Sequence, residues 1–330
     1  MSNGVSSKME HWVNSSVILP ILVSLSLSVA LGPVMIPFLR KLKAAQTVRP
    51  EGPKSHLSKN GTPTMGGIII VISLTATCLL YIQENRKLLP VLFMTLGFGL
   101  IGFLDDYIKV VLKRSMGLRA WQKMIGQVAI TSFFLLFLYD KANYNMNMFI
   151  PFQQGYVLNM GRLSIPFFFT CILGTVNGTN FTYGLDGFAC CVTLVITVFF
   201  FFAAGSTESD LMIPAGAVIG ALLGFLIYNV YPARIFMGDT GSLALGGFVA
   251  SMAFMMKLQL WLPIIAFIYL GEIVSVILQV SFFKLTKGKR LFRMTPIHHH
   301  FELSGFSEIQ IVAAFTVLTV VMCLFGFLAI

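Results

Sequence analysis

Two adjacent aspartates, Asp105 and Asp106, follow an apolar stretch of the sequence in the motif LDDYIK. Neighbouring carboxylates repel each other, and burying them close to lipid is unfavourable unless a cation compensates the charge. Lys109 lies four residues after Asp105, so the two side chains share one face of a helix. A divalent cation or the nearby Lys109 would supply that charge, and we interpret the aspartate pair as a functional site. The alternative is a solvated helix end with a local ion pair.

Two further polar segments stand where apolar stretches end or begin. Residues 177–187 read NGTNFTYGLDG, and the amide of Asn180, the carboxylate of Asp186 and the glycines suit a sugar, a phosphate or a metal. Residues 229–242 read NVYPARIFMGDTGS and place Asp239 near the start of the next helix. The free amides of a helix start favour anions, and the carboxylate suits Mg²⁺. A simple inter-helix loop and an ordinary N-cap are the respective alternatives.

Three consecutive histidines, His298, His299 and His300, lie in the segment RMTPIHHHFE. Consecutive side chains of a helix point about 100° apart, so these rings do not converge on one metal ion. A phosphate-binding site formed by ring N–H groups and neighbouring cations fits the composition better than a zinc site. The neighbouring cations are Lys287, Lys289, Arg290 and Arg293.

A basic loop rich in glycine and proline covers residues 49–67, RPEGPKSHLSKNGTPTMGG, and contains Lys54, His56 and Lys59. Such a rigid loop suits a phosphate or anionic lipid headgroups, whereas the alternative is a loop whose charge only sets the topology. Glu272 stands apart, because it lies inside an apolar stretch, where a carboxylate is a functional candidate by default. A hydrogen bond to a neighbouring helix is the alternative for Glu272.

The elements that position these groups are predicted to be transmembrane helices. The chain of 330 residues is 56% hydrophobic and only 11% charged, against about 25% charged residues in soluble domains. The apolar stretches are continuous, which favours helices over the alternating strands of a membrane barrel. We therefore predict an all-α polytopic membrane protein with a single catalytic domain, 1–330, and about ten spans. The predicted spans are 15–39, 64–82, 88–104, 122–139, 163–182, 187–205, 211–229, 240–256, 259–283 and 309–330.

The distribution of positive charge predicts how the chain is oriented. Seventeen of the 23 lysines and arginines fall in or next to the odd-numbered connections between the predicted spans, counting Lys123 at the start of the fourth span. The positive-inside rule places these connections, and with them the four polar segments, in the cytoplasm and both termini outside. The same bias accounts for the net charge of +10, so nucleic acid is not the expected partner. The long external loop 141–161 is polar and aromatic and predicts a small hairpin.

Together these motifs resemble the phospho-N-acetylmuramoyl-pentapeptide-transferase family, a branch of the polyprenyl-phosphate N-acetylhexosamine-1-phosphate transferase superfamily. The resemblance covers nearly the whole chain and runs through GPKSHLSKNGTPTMGG, LDDYIK, GLRAWQK, NFTYGLDG, YPARIFMGDTGSLALGG, SVILQV and PIHHHFELSGFSE. The wider superfamily shares the aspartate motifs. The GTPTMGG and PIHHHFE stretches favour the muramoyl-pentapeptide branch.

The resemblance implies a Mg²⁺-dependent phospho-sugar transferase of the bacterial plasma membrane whose active site faces the cytoplasm. In such an enzyme, undecaprenyl phosphate attacks the β-phosphate of UDP-N-acetylmuramoyl-pentapeptide and gives UMP and lipid I for peptidoglycan synthesis. Direct attack and a covalent aspartyl intermediate both remain open. The resemblance further implies a homodimer embedded in membrane lipid, with nucleoside inhibitors of the tunicamycin or muraymycin type as ligands.

The resemblance also implies roles for individual residues. The catalytic positions are Asp105 as the proposed base, Asp106 and Lys109 as supports for the phosphates, and Asp239 as the metal ligand. The positions that line the nucleotide and pyrophosphate site are Lys123, Asn180, Asp186, Asn229 and Gln279. Phe236 is the residue that stacks on uracil, and His298 and His299 lie near the lipid-phosphate or inhibitor pocket. His300 completes the predicted phosphate-binding run of histidines.

One position departs from the family pattern NLTDGLDG. This chain has Tyr183 where the family has an aspartate of the nucleoside site, so that role is not carried over.

Two other functions remain open. The first is the same fold acting on UDP-N-acetylglucosamine. The second is an ion-coupled transporter with Asp105, Asp186, Asp239 and Glu272 as ion sites. Transporters place such acids at mid-membrane, whereas three of these four lie at predicted cytoplasmic helix ends.

Overall fold

The computed structural model describes residues 15–42, 59, 61–114, 116–141, 147–153 and 155–330. The described helices are α1 (Ser15–Lys41), α2 (Gly67–Leu79), α3 (Leu88–Val110), α4 (Ala120–Lys141), α5 (Ser164–Thr182), α6 (Phe188–Thr207), α7 (Met212–Asn229), α8 (Gly238–Met255), α9 (Leu262–Ile265), α10 (Phe267–Leu285), α11 (Ile297–Glu302) and α12 (Glu308–Phe327). The described strands are β1 (Asn147–Phe149) and β2 (Val157–Asn159). Arg49, Lys54 and His56 of the predicted basic loop lie outside the described residues.

The helices agree with the prediction of a multi-pass, mostly helical membrane protein. Seven of the helices in the described ranges are long and apolar enough to cross a membrane: α1, α3, α4, α6, α7, α10 and α12. The apolar helix α2 is shorter, at 13 residues. Helices α5 and α8 occupy the two remaining predicted spans and carry the polar sequences NGTNFT and GDTGS.

Two predicted spans differ from the helices that the structure contains. The span predicted to end at residue 104 continues to Val110, so the aspartate pair and Lys109 lie inside α3 and not after it. The helix continues because these charged side chains find partners on neighbouring helices, as described below. The ninth predicted span is divided into α9 and α10, since the backbone of Ala266 leaves the helical conformation with φ −103° and ψ 33°.

Helix α8 lies at the centre of the bundle and is buried almost along its whole length. It packs most closely against α3, α5 and α2, and glycines permit the closest approaches. A Cβ added to Gly102 of α3 would lie 2.1 Å from the carbonyl oxygen of Asp239, and one added to Gly67 of α2 would lie 2.2 Å from the backbone nitrogen of Gly241. This packing brings the carboxyl end of α3 against the first turn of α8.

The strands β1 and β2 pair in antiparallel fashion, which confirms the predicted hairpin. The N–H of Phe149 donates to the carbonyl of Lys257 just after α8 (3.3 Å), and that of Phe152 donates to Ala329 just after α12 (3.2 Å). The hairpin therefore lies at the carboxyl ends of these two helices. Helix α8 has 18 residues, about 27 Å at the usual rise per residue, so the hairpin is far from Asp239 in its first turn.

Candidate active site

Five charged side chains meet at the amino end of α8, and we call them the inner charged group. They are Asp105, Asp106 and Lys109 of α3, Lys123 of α4 and Asp239 of α8. All five are residues that the sequence singled out. They meet because the glycine-mediated packing of α3 against α8 sets the aspartate pair beside the first turn of α8.

Two lysines bridge Asp105 and Asp239. The Nζ of Lys123 lies 3.0 Å from Asp105 Oδ2 and 2.6 Å from Asp239 Oδ2. The Nζ of Lys109 lies 3.1 Å from Asp239 Oδ2 and also contacts Asp105. Asp105 is fully buried, and its Oδ1 accepts the N–H of Leu118 at 2.7 Å. Buried carboxylates are stable only with such partners, so the two lysines fix the positions of both aspartates.

Asp106 holds the first turn of α8. Its carboxylate accepts the backbone N–H groups of Asp239 (3.1 Å) and Thr240 (2.9 Å) and the hydroxyl of Thr240 (2.7 Å). The first N–H groups of a helix have no partner within the helix and favour a negative charge. Asp106 therefore caps α8 from a neighbouring helix, and in this way it fixes the position of Asp239.

Asn180, in the last turn of α5, completes the surroundings of Asp239. Its Nδ2 donates to Asp239 Oδ1 at 3.1 Å and lies 2.8 Å from the hydroxyl of Ser242. One turn earlier, Asn177 exchanges hydrogen bonds of 2.8 and 3.3 Å with Gln127 of α4. The carboxylate of Asp239 thus faces α3, α4 and α5, and it does not cap its own helix.

The donor atoms of the inner charged group fit a magnesium ion. One oxygen from each of Asp105, Asp106 and Asp239 lies within 4.8 Å of the other two. Magnesium prefers oxygen ligands and commonly uses one or two carboxylates together with substrate phosphates. Three carboxylates facing two lysines leave an excess of negative charge, which a divalent cation neutralises. Asp105 and Asp239 are the best placed ligands, because their oxygens contact lysine side chains that a bound phosphate can also engage. The oxygens of Asp106 instead accept hydrogen bonds from the first turn of α8, which they cap.

Tyr183 lies beside this group, in the loop after α5. Its hydroxyl is within hydrogen-bonding reach of the Thr64 side chain and the Gly238 backbone amide. Burial raises the pKa of Tyr183, and the nearby carboxylate of Asp106 acts in the same direction, so the hydroxyl stays neutral near pH 7. The chain therefore has a neutral hydrogen-bonding group at the position where the family pattern has an aspartate.

A second set of charged residues, the loop cluster, consists of Lys59, Asp186 and Glu308. The Nζ of Lys59 lies 2.7 Å from Asp186 Oδ1 and 2.5 Å from Glu308 Oε1. The other oxygen of Asp186 accepts the N–H of Ala233 at 2.9 Å. Lys59 Nζ also lies 6.0 Å from the ring centroid of Phe236, the residue predicted to stack on uracil. The cluster joins the basic loop, the loop after α5, the loop before α8 and the start of α12.

Backbone hydrogen bonds fix the loop before α8, which carries Phe236. The N–H of Phe236 donates to Pro63 at 2.7 Å, and its carbonyl accepts the N–H of Gly66 at 2.8 Å. Asn229 donates from its side chain to the carbonyl of Ile235 at 2.9 Å. Asn229 therefore holds this loop in place, and the loop sets the position of the Phe236 ring.

The three histidines lie on the short helix α11, and His298 is the buried member. Its Nδ1 lies 3.1 Å from Glu272 Oε2 of α10, which gives the intramembrane glutamate a partner on another helix. The ring also packs against the loop after α5, where a Cβ added to Gly184 would lie 2.2 Å from Nε2 of His298. His298 therefore joins α10 to the loop that carries Asp186.

The other two histidines have partners within their own segment. The Nδ1 of His299 lies 2.7 Å from Glu302, and that of His300 accepts the N–H of Arg293 at 3.2 Å. Gln279 of α10 accepts two backbone N–H groups of the loop that leads to α11, at 3.0 and 2.9 Å. The three rings have separate partners, as expected for consecutive residues of a helix, and their binding of phosphate stays a prediction.

Sequence reasoning did not single out Glu308, Gln127 or Thr240. Glu308 and Thr240 contact predicted site residues, and Gln127 contacts Asn177 of the predicted polar segment 177–187. Glu308 follows Ser307 at the start of α12, where an acidic residue is ordinary because it favours the helix dipole. Gln127 lies in an apolar stretch, and a polar residue at such a position is a signal that could have identified it. Thr240 has no comparable signal, because its role depends on the packing of α3 against α8.

Two sequence profiles match the chain. One, described as Glycosyl transferase family 4, covers residues 88–257 and includes the three aspartates of the inner charged group. The other, described as Phospho-N-acetylmuramoyl-pentapeptide-transferase signature 1, covers residues 59–71 and begins at Lys59 of the loop cluster. The two profiles thus cover the inner charged group and, of the loop cluster, Lys59 and Asp186.

Curated relatives are similar to the chain over nearly its whole length, and each is named phospho-N-acetylmuramoyl-pentapeptide-transferase. The relative from Acetivibrio thermocellus is 48% identical over 312 residues, 93% of this chain and 93% of the relative. The relative from Clostridium beijerinckii is 47% identical over 322 residues, 96% and 97% of the two chains. The relative from Clostridioides difficile is 45% identical over 311 residues, 94% and 96% of the two chains.

Proposed function

The chain belongs to the phospho-N-acetylmuramoyl-pentapeptide-transferase family, and we propose that it transfers phospho-N-acetylmuramoyl-pentapeptide from UDP-N-acetylmuramoyl-pentapeptide to undecaprenyl phosphate. A phosphate oxygen of the lipid forms a bond to the β-phosphorus of the nucleotide. The bond from that phosphorus to the bridging oxygen breaks, and UMP leaves with the electron pair. The lipid product is lipid I, an intermediate of peptidoglycan synthesis.

The observation that carries this proposal is the composition of the inner charged group. Two lysines and three aspartates from three helices surround one buried position at the amino end of α8. Phosphoryl transfer is mostly a matter of positioning the reactants and neutralising their charge. Ammonium groups contact phosphates as point charges, and carboxylates hold the cation that accompanies a diphosphate. The group therefore has both parts that the transfer requires.

The lysines are the residues that exchange partners when substrate binds. Lys109 and Lys123 both contact Asp105 and Asp239, and the phosphate oxygens of the substrates compete with these carboxylates for the ammonium groups. Asp105 and Asp239 hold Mg²⁺ in this proposal. When bound, the ion neutralises charge on the diphosphate and on the departing UMP. Asn180 keeps Asp239 oriented through its hydrogen bond to Oδ1.

Asp105 acts mainly by positioning. The lipid phosphate is largely ionised near pH 7, since a second phosphate pKa is near 6, so a base has little proton to remove. Asp105 contacts both lysines and accepts the N–H of Leu118. We expect Asp105→Asn to lower the rate about 10²-fold without changing the shape of its pH profile. Loss of an acidic limb from that profile would identify Asp105 as a base instead.

The topology is part of the proposal. The chain is a single catalytic domain, 1–330, that crosses the bacterial plasma membrane ten times, with both termini outside and the inner charged group on the cytoplasmic face. Helices at all ten predicted positions support this arrangement, as does the hairpin at the far ends of α8 and α12. Single cysteines in the connections next to Asp105 and His298 should react with an impermeant reagent from the cytoplasmic side only. Labelling from opposite sides would contradict the arrangement.

In this proposal the protein is a homodimer surrounded by membrane lipid. Nucleoside inhibitors of the tunicamycin or muraymycin type bind at its nucleotide site. The long apolar faces of the peripheral helices support the lipid contact.

The decisive experiment measures UMP release by the purified protein in detergent. We expect release from UDP-N-acetylmuramoyl-pentapeptide with undecaprenyl phosphate to require Mg²⁺ and to be lost in Asp239→Ala. UDP-N-acetylglucosamine, offered at the same concentration, should give none. Release from UDP-N-acetylglucosamine alone would assign the chain to another donor. No UMP release from either donor would contradict an enzyme and favour a transporter, because detergent leaves no compartments to transport between.

A further inference from the structure

We infer that Glu308 is a positioning residue for nucleotide binding, which from the first turn of α12 holds Lys59 and the loop of Asp186 beside the ring of Phe236. The inference rests on the proposed function, because it assigns the nucleotide of the donor to the loop cluster. It concerns a residue of the last helix, far in the sequence from the aspartate motifs. Its effect is on the affinity for the nucleotide and not on the transfer step.

Among the described residues, the carboxylate of Glu308 makes two polar contacts, both with residues of other segments. Its Oε1 lies 2.5 Å from the Nζ of Lys59 and accepts the backbone N–H of Asp186 at 2.5 Å. Both partners belong to loops, and these loops are separated from Glu308 by 249 and 122 residues of sequence. The Oε1 atom of Glu308 thus fixes both the side chain of Lys59 and the backbone at Asp186.

Glu308 is not needed as a cap of its own helix. Ser307 accepts the N–H of Gln310, and the side chain of Gln310 accepts the N–H of Ser307, so a complete capping box already begins α12. An acidic residue in the first turn stabilises a helix from an exposed position as well. The side chain of Glu308 is only 9% exposed and is directed at Lys59, which indicates a role in the loop cluster.

The charges of the cluster show how Lys59 is held. An ammonium group has three N–H donors, and among the described residues Asp186 and Glu308 each accept one of them. Charge-assisted hydrogen bonds of this kind are strong when their groups are partly buried. With two N–H donors directed at fixed carboxylates, the direction of the third N–H donor of Lys59 is determined. In this inference the third donor binds a ligand that lies over Phe236, whose ring centroid is 6.0 Å from Lys59 Nζ.

The backbone around the cluster explains why the position of Lys59 matters. Pro63 and Gly66, a few residues after Lys59, hydrogen-bond to the backbone of Phe236 on both sides. Asp186 accepts the N–H of Ala233 from the same loop before α8. Loss of the Glu308 carboxylate would therefore leave Lys59 with one of its two carboxylate partners and remove the hydrogen bond to the Asp186 backbone. The inner charged group would keep all of its own contacts.

The test compares Glu308→Gln with Glu208→Gln, a matched control in which a glutamate that contacts a lysine is changed at the far end of the molecule. We expect Glu308→Gln to raise the KM for UDP-N-acetylmuramoyl-pentapeptide and the Kd for UMP, measured by calorimetry, roughly tenfold. The kcat and the KM for undecaprenyl phosphate should match those of the wild type. Glu208→Gln should leave all four quantities unchanged.

Other outcomes would overturn the inference. A fall in kcat with unchanged UMP affinity would place Glu308 in the chemical step, and behaviour equal to that of Glu208→Gln would leave it no role. Lys59→Met and the double variant complete a mutant cycle, in which Glu308→Gln should weaken UMP binding less in the Lys59→Met background than in the wild type. Additive losses would contradict the shared role.

If Glu308→Gln does not purify as a folded protein, Glu308→Asp provides the same comparison. It keeps the charge but shortens the side chain by one methylene, so it too should weaken UMP binding without lowering kcat. Failure of the proposed function looks different. In that case the wild-type protein releases no UMP from the muramoyl-pentapeptide nucleotide, whatever residue stands at position 308.

Discussion

Lysine–carboxylate contacts occur at both ends of the bundle, and their surroundings differ. The outer charged group consists of Lys87, just before α3, with Glu208 and Asp210, just after α6. These side chains are 44%, 40% and 53% exposed. In the inner charged group, Lys123 is 23% exposed and Asp105 is fully buried. Lys109 is 36% exposed, so the two groups differ most in their carboxylates, which are buried in the inner group and exposed in the outer group.

The difference indicates which of the two groups is maintained for a ligand. Exposed ion pairs contribute about 0–1 kcal/mol, because water already solvates both partners. Burying charge costs several kcal/mol for each ion, and the inner group also has one more carboxylate than it has lysines. Such an excess is unfavourable for folding alone. It would be useful where a divalent cation and a diphosphate bind, which supports the proposal that the inner group is the active site.

The largest expected effect comes from removing a carboxylate of the inner group. Asp239→Ala deletes the oxygens that face both lysines and Asn180, and with them a ligand for the cation, so we expect kcat to fall about 10³-fold. The measurement is UMP release at saturating Mg²⁺. Asp210→Asn changes a carboxylate of the outer group and should keep full activity. Equal losses in the two variants would remove the distinction between the groups.

A smaller loss should follow from moving the inner group without changing its charges. In Gly102→Ala the new Cβ would lie 2.1 Å from the carbonyl oxygen of Asp239. Helices α3 and α8 must then separate, and a displacement near 1 Å costs about 10²-fold in rate. The control is Gly271→Ala in α10, where a Cβ would meet no described atom within 4 Å. Both variants are assayed for UMP release and for melting temperature in detergent, and full activity in Gly102→Ala would contradict the role of this packing.

The smallest effect is expected at the outer group itself. Lys87→Gln removes the contacts with Glu208 and Asp210, and because all three side chains are exposed we expect the free energy of unfolding to change by less than about 1 kcal/mol. The activity should not change. Thermal unfolding in detergent at low and high salt measures the effect, which should shrink as salt screens the pair. A loss of several kcal/mol would show that burial does not separate the two groups as described.

Much of this site could be predicted from the sequence, because its residues are conspicuous in an apolar chain. Charged residues make up only 11% of the sequence, so the aspartate pair and Asp239 stand out against their surroundings. The apolar helices could likewise be predicted, since length and hydropathy alone decide whether a segment can cross a membrane. The hairpin could be predicted from the polar and aromatic composition of its loop. The residue at which α3 ends could not be predicted from the sequence. Whether Asp105 and Asp106 lie inside a helix depends on partners from α4 and α8.

Residue chemistry and spacing therefore determined the class of protein, the candidate residues and, through the family resemblance, the reaction. Only the tertiary structure decided which partner each of these residues contacts. Asp106 caps α8, Asp105 and Asp239 share two lysines, and Glu308 joins Lys59 to the loop of Asp186. The reason is that hydropathy is a local property of the chain. The partner of a buried charge is set by how closely two helices approach, and here glycines such as Gly102 permit that approach.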